Sequence, residues 1–199
     1  MSRPPAIHAA ILGAFCLGFG AVLAVTNHIT VDDIAARALE DRQNSLNRVI
    51  PADIYDNNLL ADVITVKDDE GQDLTVYRAM RDGKVTGMAY EIRASGYAGT
   101  IKLMLGVGAD GKVLGVRVLA HKETPGLGDK IDEKKGDWIT RFTGLALDHP
   151  PIEQWKVKKD GGEFDQFTGA TITPRGVVNA VRNGLAFYAA HQAQLTEVH

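Results

Sequence analysis

The 199-residue chain predicts an α+β protein: a single N-terminal transmembrane helix, then one domain with a mainly antiparallel sheet flanked by helices. Three observations carry that expectation. Ala6 to Val25 is apolar apart from His8, close to the roughly 20 residues that span a hydrocarbon core. Between Asp62 and Ala120 the apolar period drops to two, broken by short glycine turns. From Pro174 to His191 helical spacing returns. This length suits one globular domain plus an appendage. The expected division is a cytoplasmic stub and anchor at 1–28, an amphipathic linker helix and connector at 29–61, the globular domain at 62–192 and a tail at 193–199.

Arg3 precedes the apolar span and Asp32 and Asp33 follow it, so the positive-inside rule puts the N-terminus in the cytoplasm and the body outside it. For a bacterial inner-membrane protein that body is periplasmic. The rival to an anchor is a cleaved signal peptide. Its apolar region is normally shorter, and Ala21 to Asn27 offers only a weak small-x-small site, so an uncleaved single span is expected. After the span, Thr30 with Asp33 three residues on forms a pattern like a capping box, predicting a new helix over 31–49 that stops before Pro51. Ile34, Ala38, Leu39, Leu46, Val49 and Ile50 form its apolar stripe, either a docking face on the domain or a contact with another protein.

Strands are predicted at 63–67, 74–80, 84–92, 100–107 and 112–120, separated by Asp-Asp-Glu-Gly, Arg-Asp-Gly and Gly-Ala-Asp-Gly turns. Ile101, Leu103, Leu105 and Val107 alternate as one buried face should. Ser95 to Gly99 is a glycine loop between strands. Trp138 to Phe142 reads as a short helix, His149-Pro150-Pro151 as a stiff connector and Trp155 to Lys158 as a further short strand. The closing helix buries Val177, Val178, Val181, Leu185 and Tyr188.

Composition removes several function classes. A net charge of −3 leaves no basic footprint for nucleic acid. The one cysteine, Cys16, lies in the apolar span, so the chain can build neither an internal disulfide nor a thiolate-bound zinc or iron–sulfur site. Any electron carrier must then be organic. The six histidines form no H-x-x-x-H or H-E-x-x-H pair, so no metal site is expected, and no G-x-S-x-G elbow supports a hydrolase.

Chemistry concentrates at Asp165-Gln-Phe-Thr168-Gly169-Ala170-Thr171, just before a helix that Thr173 and Pro174 are expected to start. Unpaired amides and the positive end of a helix dipole suit a phosphate. Gly169 and Ala170 let it approach the backbone, and Thr171 offers a hydroxyl there. The nucleotide P-loop spacing and its lysine are missing.

This segment resembles the flavinylation motif, D-x-x-[ST]-G-A-[TS], of the FMN-binding domain family. In that family a flavin transferase joins the FMN phosphate to the last Thr as a phosphodiester. The resemblance implies attachment at Thr171, with Asp165, Thr168 and Gly169 read by the transferase. A second block, Glu123-Thr124-Pro125-Gly126-Leu127-Gly128, is similar to the segment that lines the flavin in the same family. Pro125-Gly126 makes a tight turn, Gly128 permits close approach, and Leu127 can cover one ring face. Gly96 and Tyr97 resemble the family's G-Y-x-G loop; alone they read as an ordinary loop. His121 is either a flavin neighbour or a polar strand end, and Lys158 either a positive group near the flavin or part of a solvated edge.

One span, an extracytoplasmic domain and a covalent-flavin motif together resemble the G-subunit family of the Rnf complex, the ion-translocating ferredoxin:NAD oxidoreductase. The likeness is strongest from Gly96 to Val181. Membership would imply a covalent FMN electron relay, partners among the other membrane subunits of the complex, and a flavin transferase during maturation. The C subunit of the sodium-pumping NADH:quinone reductase shares the motif and is a second reading, but is usually longer. A non-redox binding or assembly module with an unmodified motif stays open, as does an independent membrane-anchored reductase.

Overall fold

The computed structural model describes residues 5–68 and 71–197 and confirms the α+β class. Arg3 and the middle of the Asp-Asp-Glu-Gly turn lie outside the described residues. The contacts divide the chain into two compact units, Met1–Arg42 and Gln43–His199. Helix α1 runs unbroken over Pro5–Val49. No helix starts at Thr30: its hydroxyl donates to the Thr26 carbonyl at 2.9 Å, one turn back, instead of capping. The expected break fails because Thr26 to Val31 contains neither Gly nor Pro, and a helix once nucleated propagates through such residues. Among the described residues α1 is the one helix long and apolar enough to cross a membrane. The apolar stripe divides. Ile34, Ala38 and Leu39 are exposed, whereas Leu46, Val49 and Ile50 are buried within the second unit.

Five strands follow: β1 Val63–Lys67, β2 Asp73–Arg81, β3 Lys84–Ser95, β4 Thr100–Gly108 and β5 Val113–Ala120. They form one antiparallel meander in the order β1-β2-β3-β4-β5. Short turns make each strand pair with its predecessor. Helix α2, Ile172–Thr196, covers one face. Ile101, Leu103, Leu105 and Val107 of β4 point to that side with Tyr90, and all five are fully buried against Val177, Val178, Val181 and Leu185. The Tyr90 hydroxyl donates to the Gly184 carbonyl at 2.9 Å, bolting strand to helix.

The last turn of α1 packs on the opposite face with Tyr77, Ala79, Ala89 and Met104. Gly106 and Gly115 make that approach close. A Cβ on Gly106 would stand 3.1 Å from the Val49 Cβ, and one on Gly115 3.0 Å from the Val49 Cα.

Three other expectations need correction. Trp155 to Lys158 is not a strand: it lies between short 3₁₀ turns, and Val157 makes only an isolated bridge to Phe164. Trp155 is buried because it packs on Phe142 and Phe164, not through strand alternation. The closing helix starts at Ile172 rather than at Pro174, so Thr173 is not its cap. The end beyond Gln192 is not simply a solvated tail, since the helix continues to Thr196 and Leu195 is fully buried.

Candidate functional site

The meander brings the chemistry to one end of the sheet. There β3 ends at Ser95, β4 begins at Thr100 and β5 ends at Ala120. Residues 96–99 form a tight link, with the Gly96 amide donating to the Gly99 carbonyl at 2.9 Å. Residues 121–128 leave β5 alongside. In that stretch Thr124 to Leu127 is a turn, closed by Leu127 N–H to the Thr124 carbonyl at 3.1 Å. Pro125 presets its second position, and Gly126, at φ 78°, takes the third, which needs positive φ.

Glu123 ties the segments together. It is 5% exposed. Its Oε1 accepts the Ala98 amide at 2.9 Å, and its Oε2 accepts the Thr173 hydroxyl. The carboxylate leaves no room beside it: a Cβ on Gly128 would stand 2.6 Å from Oε2, and one on Gly96 would collide with Oε1. His121, half-buried just past β5, accepts the Glu123 amide on Nδ1 at 3.1 Å.

The third segment is the approach to α2. Phe167 to Ala170 is a turn closed by Ala170 N–H to the Phe167 carbonyl at 3.0 Å, with Gly169 at φ 82°. Leu127 lies over it, since a Cβ on Gly169 would be 3.6 Å from Leu127 Cδ2. Thr168 and Gly169 are exposed, and Ala170 and Thr171 half-exposed. Thr171 takes the N-cap position of α2, but its side chain makes no capping hydrogen bond. As the N-cap residue, Thr171 directly precedes the first-turn amides, which have no intrahelical acceptor, at the positive end of a 25-residue helix. Gly176, one turn on, lets α2 press on the end of β3: a Cβ there would sit 3.0 Å from the Ser95 carbonyl carbon and closer to its oxygen.

Asp165 is held by two cations. Lys158 Nζ pairs with its Oδ1 at 2.7 Å, and Arg141 pairs with its Oδ2. These hydrogen bonds, Lys158 first and Arg141 second, hold the carboxyl below the usual carboxylate range. The Asp165 carbonyl also accepts Trp138 Nε1–H at 2.8 Å. Trp138 packs edge-on to Phe167 at 5.2 Å and to Phe142 at 5.4 Å, so the motif stands on a buried aromatic cluster.

The three sequence blocks thus converge, yet their side chains are not equivalent. Thr124, Pro125, Gly126, Leu127 and Tyr97 lie towards solvent or at the surface turn, whereas Glu123, Gly128 and Thr173 are buried among themselves. Tyr97, Leu127 and Ile172 are exposed apolar groups, one from each segment. Sequence reading misses Arg141, whose partner is 24 residues away, and Asp129, which is 6% exposed and whose Oδ1 has no hydrogen-bond partner among the described residues. Its place directly after Gly128 is the one local signal for Asp129.

Known proteins match on both units. A model of the FMN-binding domain covers residues 96–186, and one of the RnfG N-terminal region covers 1–49. The G subunit of the ion-translocating oxidoreductase complex of Cereibacter sphaeroides is 46% identical over 191 residues, 96% of this chain and 87% of that protein. Its counterpart from Vibrio vulnificus is 46% identical over 188 residues, covering 92% and 89%. Among solved structures, NqrC of Shewanella oneidensis superposes with a TM-score of 0.51 at 25% identity over 73% of each chain. Identity sustained over nearly the whole length, with matches to both the N-terminal and the FMN-binding regions, establishes that the chain belongs to the family of G subunits of ion-translocating oxidoreductase complexes.

Proposed function

We propose that this chain is the electron-carrying subunit of an Rnf-type ferredoxin:NAD oxidoreductase coupled to ion translocation, and that it carries FMN joined through its phosphate to Thr171. The setting of Thr171 supports this most directly: a half-exposed hydroxyl, free of any capping bond, at the start of a long helix. Helix dipole and first-turn amides favour the negative charge of a phosphodiester there.

Three features suit the rest of the cofactor. Space lies open around Gly126, where a Cβ would meet nothing within 4 Å. Leu127 and Tyr97 offer exposed apolar surface to a flat ring. The orphaned Asp129 Oδ1, next to Gly128, is an acceptor that a ring N–H or a ribityl hydroxyl would satisfy. When bound, FMN supplies one- and two-electron transfer. The chain's part is to tether, orient and charge the site: Thr171 fixes the phosphate end, Gly169 gives it room, and Leu127 shields the space above Gly169.

In this reading a flavin transferase recognises Asp165, Thr168, Gly169 and Ala170 before modifying Thr171. Helix α1 anchors the chain in the bacterial inner membrane with its N-terminus cytoplasmic, Arg3 on that side, and residues 62–192 as a periplasmic FMN-binding domain. The other membrane subunits of the complex are its partners. Identity of 46% with the G subunits favours this assignment over a quinone-reductase component, for which NqrC offers 25%.

The test is ultraviolet fluorescence of the membrane-purified protein on a denaturing gel, beside Thr171→Ala, both made in cells that possess the transferase. The wild-type band should fluoresce and the variant band should be dark while unfolding at nearly the wild-type temperature, as surface changes within about ±0.5 kcal/mol do. A dark wild-type band would overturn the covalent-flavin reading and favour an unmodified binding module.

A further inference from the structure

We propose that Glu123 is a positioning residue that locks the three segments of the site to one another and does not itself touch the cofactor. This rests on the flavin reading for its consequence, though not for its geometry.

Both carboxylate oxygens are already engaged within the protein. Oε1 takes the Ala98 amide from the β3–β4 link, and Oε2 takes the hydroxyl of Thr173 in the first turn of α2. Glu123 itself belongs to the 121–128 segment, which lies between the other two in sequence. One buried carboxylate therefore spans contacts of sequence separation 25 and 50. Gly96 and Gly128 close on it from two sides, where any Cβ would displace it. Thr173 is fully buried, so its hydroxyl has no access to a ligand in solvent. By contrast Thr124 is covered only by its own turn, and Gly126 and Leu127 are exposed. The block therefore works as a buried root with an exposed tip: Glu123 and Gly128 are the root, and Pro125 to Leu127 the tip that meets the ring.

Charge-assisted hydrogen bonds to a buried carboxylate are strong, and removing one donor leaves a desolvated oxygen without a partner. Losing the lock should free the tip relative to Thr171 while leaving Thr171, Asp165 and the sheet in place. The cofactor would stay attached at its phosphate but lose its fixed ring orientation.

Two substitutions at Thr173 separate the lock from mere bulk. Thr173→Val keeps the shape and deletes the hydroxyl; Thr173→Ser keeps the hydroxyl. Full-length protein would be purified from cells containing the transferase. The readouts are flavin fluorescence anisotropy, the visible flavin spectrum and the midpoint potential. Thr173→Val should remain fluorescent on a denaturing gel, while in the folded protein its flavin anisotropy falls severalfold towards that of mobile flavin and its potential moves towards that of free FMN. Thr173→Ser should match wild type. Wild-type anisotropy and potential in Thr173→Val would overturn the proposal, as would failure of Thr173→Ser to restore them.

A cofactor-independent arm distinguishes this from failure of the flavin reading. Amide exchange at Ala98 is measured in Thr171→Ala, which carries no tether, with and without Glu123→Ala. Removing the acceptor should speed exchange at Ala98 by about tenfold or more, the loss of one charge-assisted bond, while amides of β3 and β4 keep their protection. If Ala98 exchange does not change, the lock is refuted whether or not the chain binds flavin. If it accelerates but wild type is dark, the lock stands and the flavin reading falls.

Discussion

Gly176→Ala puts two effects of opposite sign in competition, so its sign alone tests the architecture. In an ordinary helix interior the change stabilises by about 1 kcal/mol, because glycine carries the larger entropy cost. Gly176 is not in an ordinary setting. A Cβ there would lie 3.0 Å from the Ser95 carbonyl carbon, and nearer its oxygen. Carbon atoms at rest in contact stand about 3.5–4.0 Å apart. The start of α2 must therefore withdraw by at least about 0.5 Å, and the obstacle is backbone that cannot rotate away. Overpacking of this kind costs about 1–3 kcal/mol, and a rigid obstacle places it near the top of that range. The net expectation is a loss of about 2 kcal/mol, or roughly 4–8 °C in Tm for a chain of this size. Trp138 and Trp155, both buried in the second unit, report the transition through their fluorescence in detergent-solubilised protein. Because Gly176 lies one turn beyond Thr171, flavin incorporation should drop as well. An unchanged or higher Tm would refute the close approach of α2 to β3.

Tyr90→Phe removes the buried bond to the Gly184 carbonyl and should cost about 1 kcal/mol, measured by urea unfolding at constant m; a neutral result would mean that bond contributes nothing. Burial pushes the Tyr90 phenol well above its ordinary value, so no phenolate absorbance from this residue should appear below the alkaline unfolding of the domain. Asp165 is depressed by Lys158 and Arg141, so its contribution is present above the unfolded carboxylate value of about 4 and is lost as pH falls through its lower folded value. Carboxyl ¹³C titration should show it ionising below that ordinary value, and a midpoint at or above about 4 would show that the two cations do not hold it.

Much of this is legible in the sequence because local rules and tertiary structure agree. The strands obey a period of two, and the turns carry glycines at 71, 83 and 111 that the backbone uses at positive φ. The convergence of the three loops follows from a resemblance; their internal roles do not. Glu123 reads from the sequence as one more member of a flavin-lining block, since nothing local announces that Ala98 and Thr173 will arrive to engage its carboxylate. Arg141 carries no motif and acquires its meaning only by folding onto Asp165. The continuity of α1 escapes any reading that weighs a capping pattern above the absence of a breaker. Trp155 and Val157 imitate a strand by alternating with lysines, while the aromatic cluster decides their burial.

Helix α2 is both the cover of the core and the element that carries Thr171. The five strands can zip together turn by turn from neighbouring sequence, but Tyr90, Leu103 and Leu105 stay wet until Val177, Val181 and Leu185 arrive from the far end of the chain. The event that dries the interior is thus the same one that sets Thr171, the proposed attachment residue, in place. A molecule with an unfinished core has no assembled Thr171 to offer, so on the proposed covalent reading joining the cofactor there would inspect the integrity of the fold.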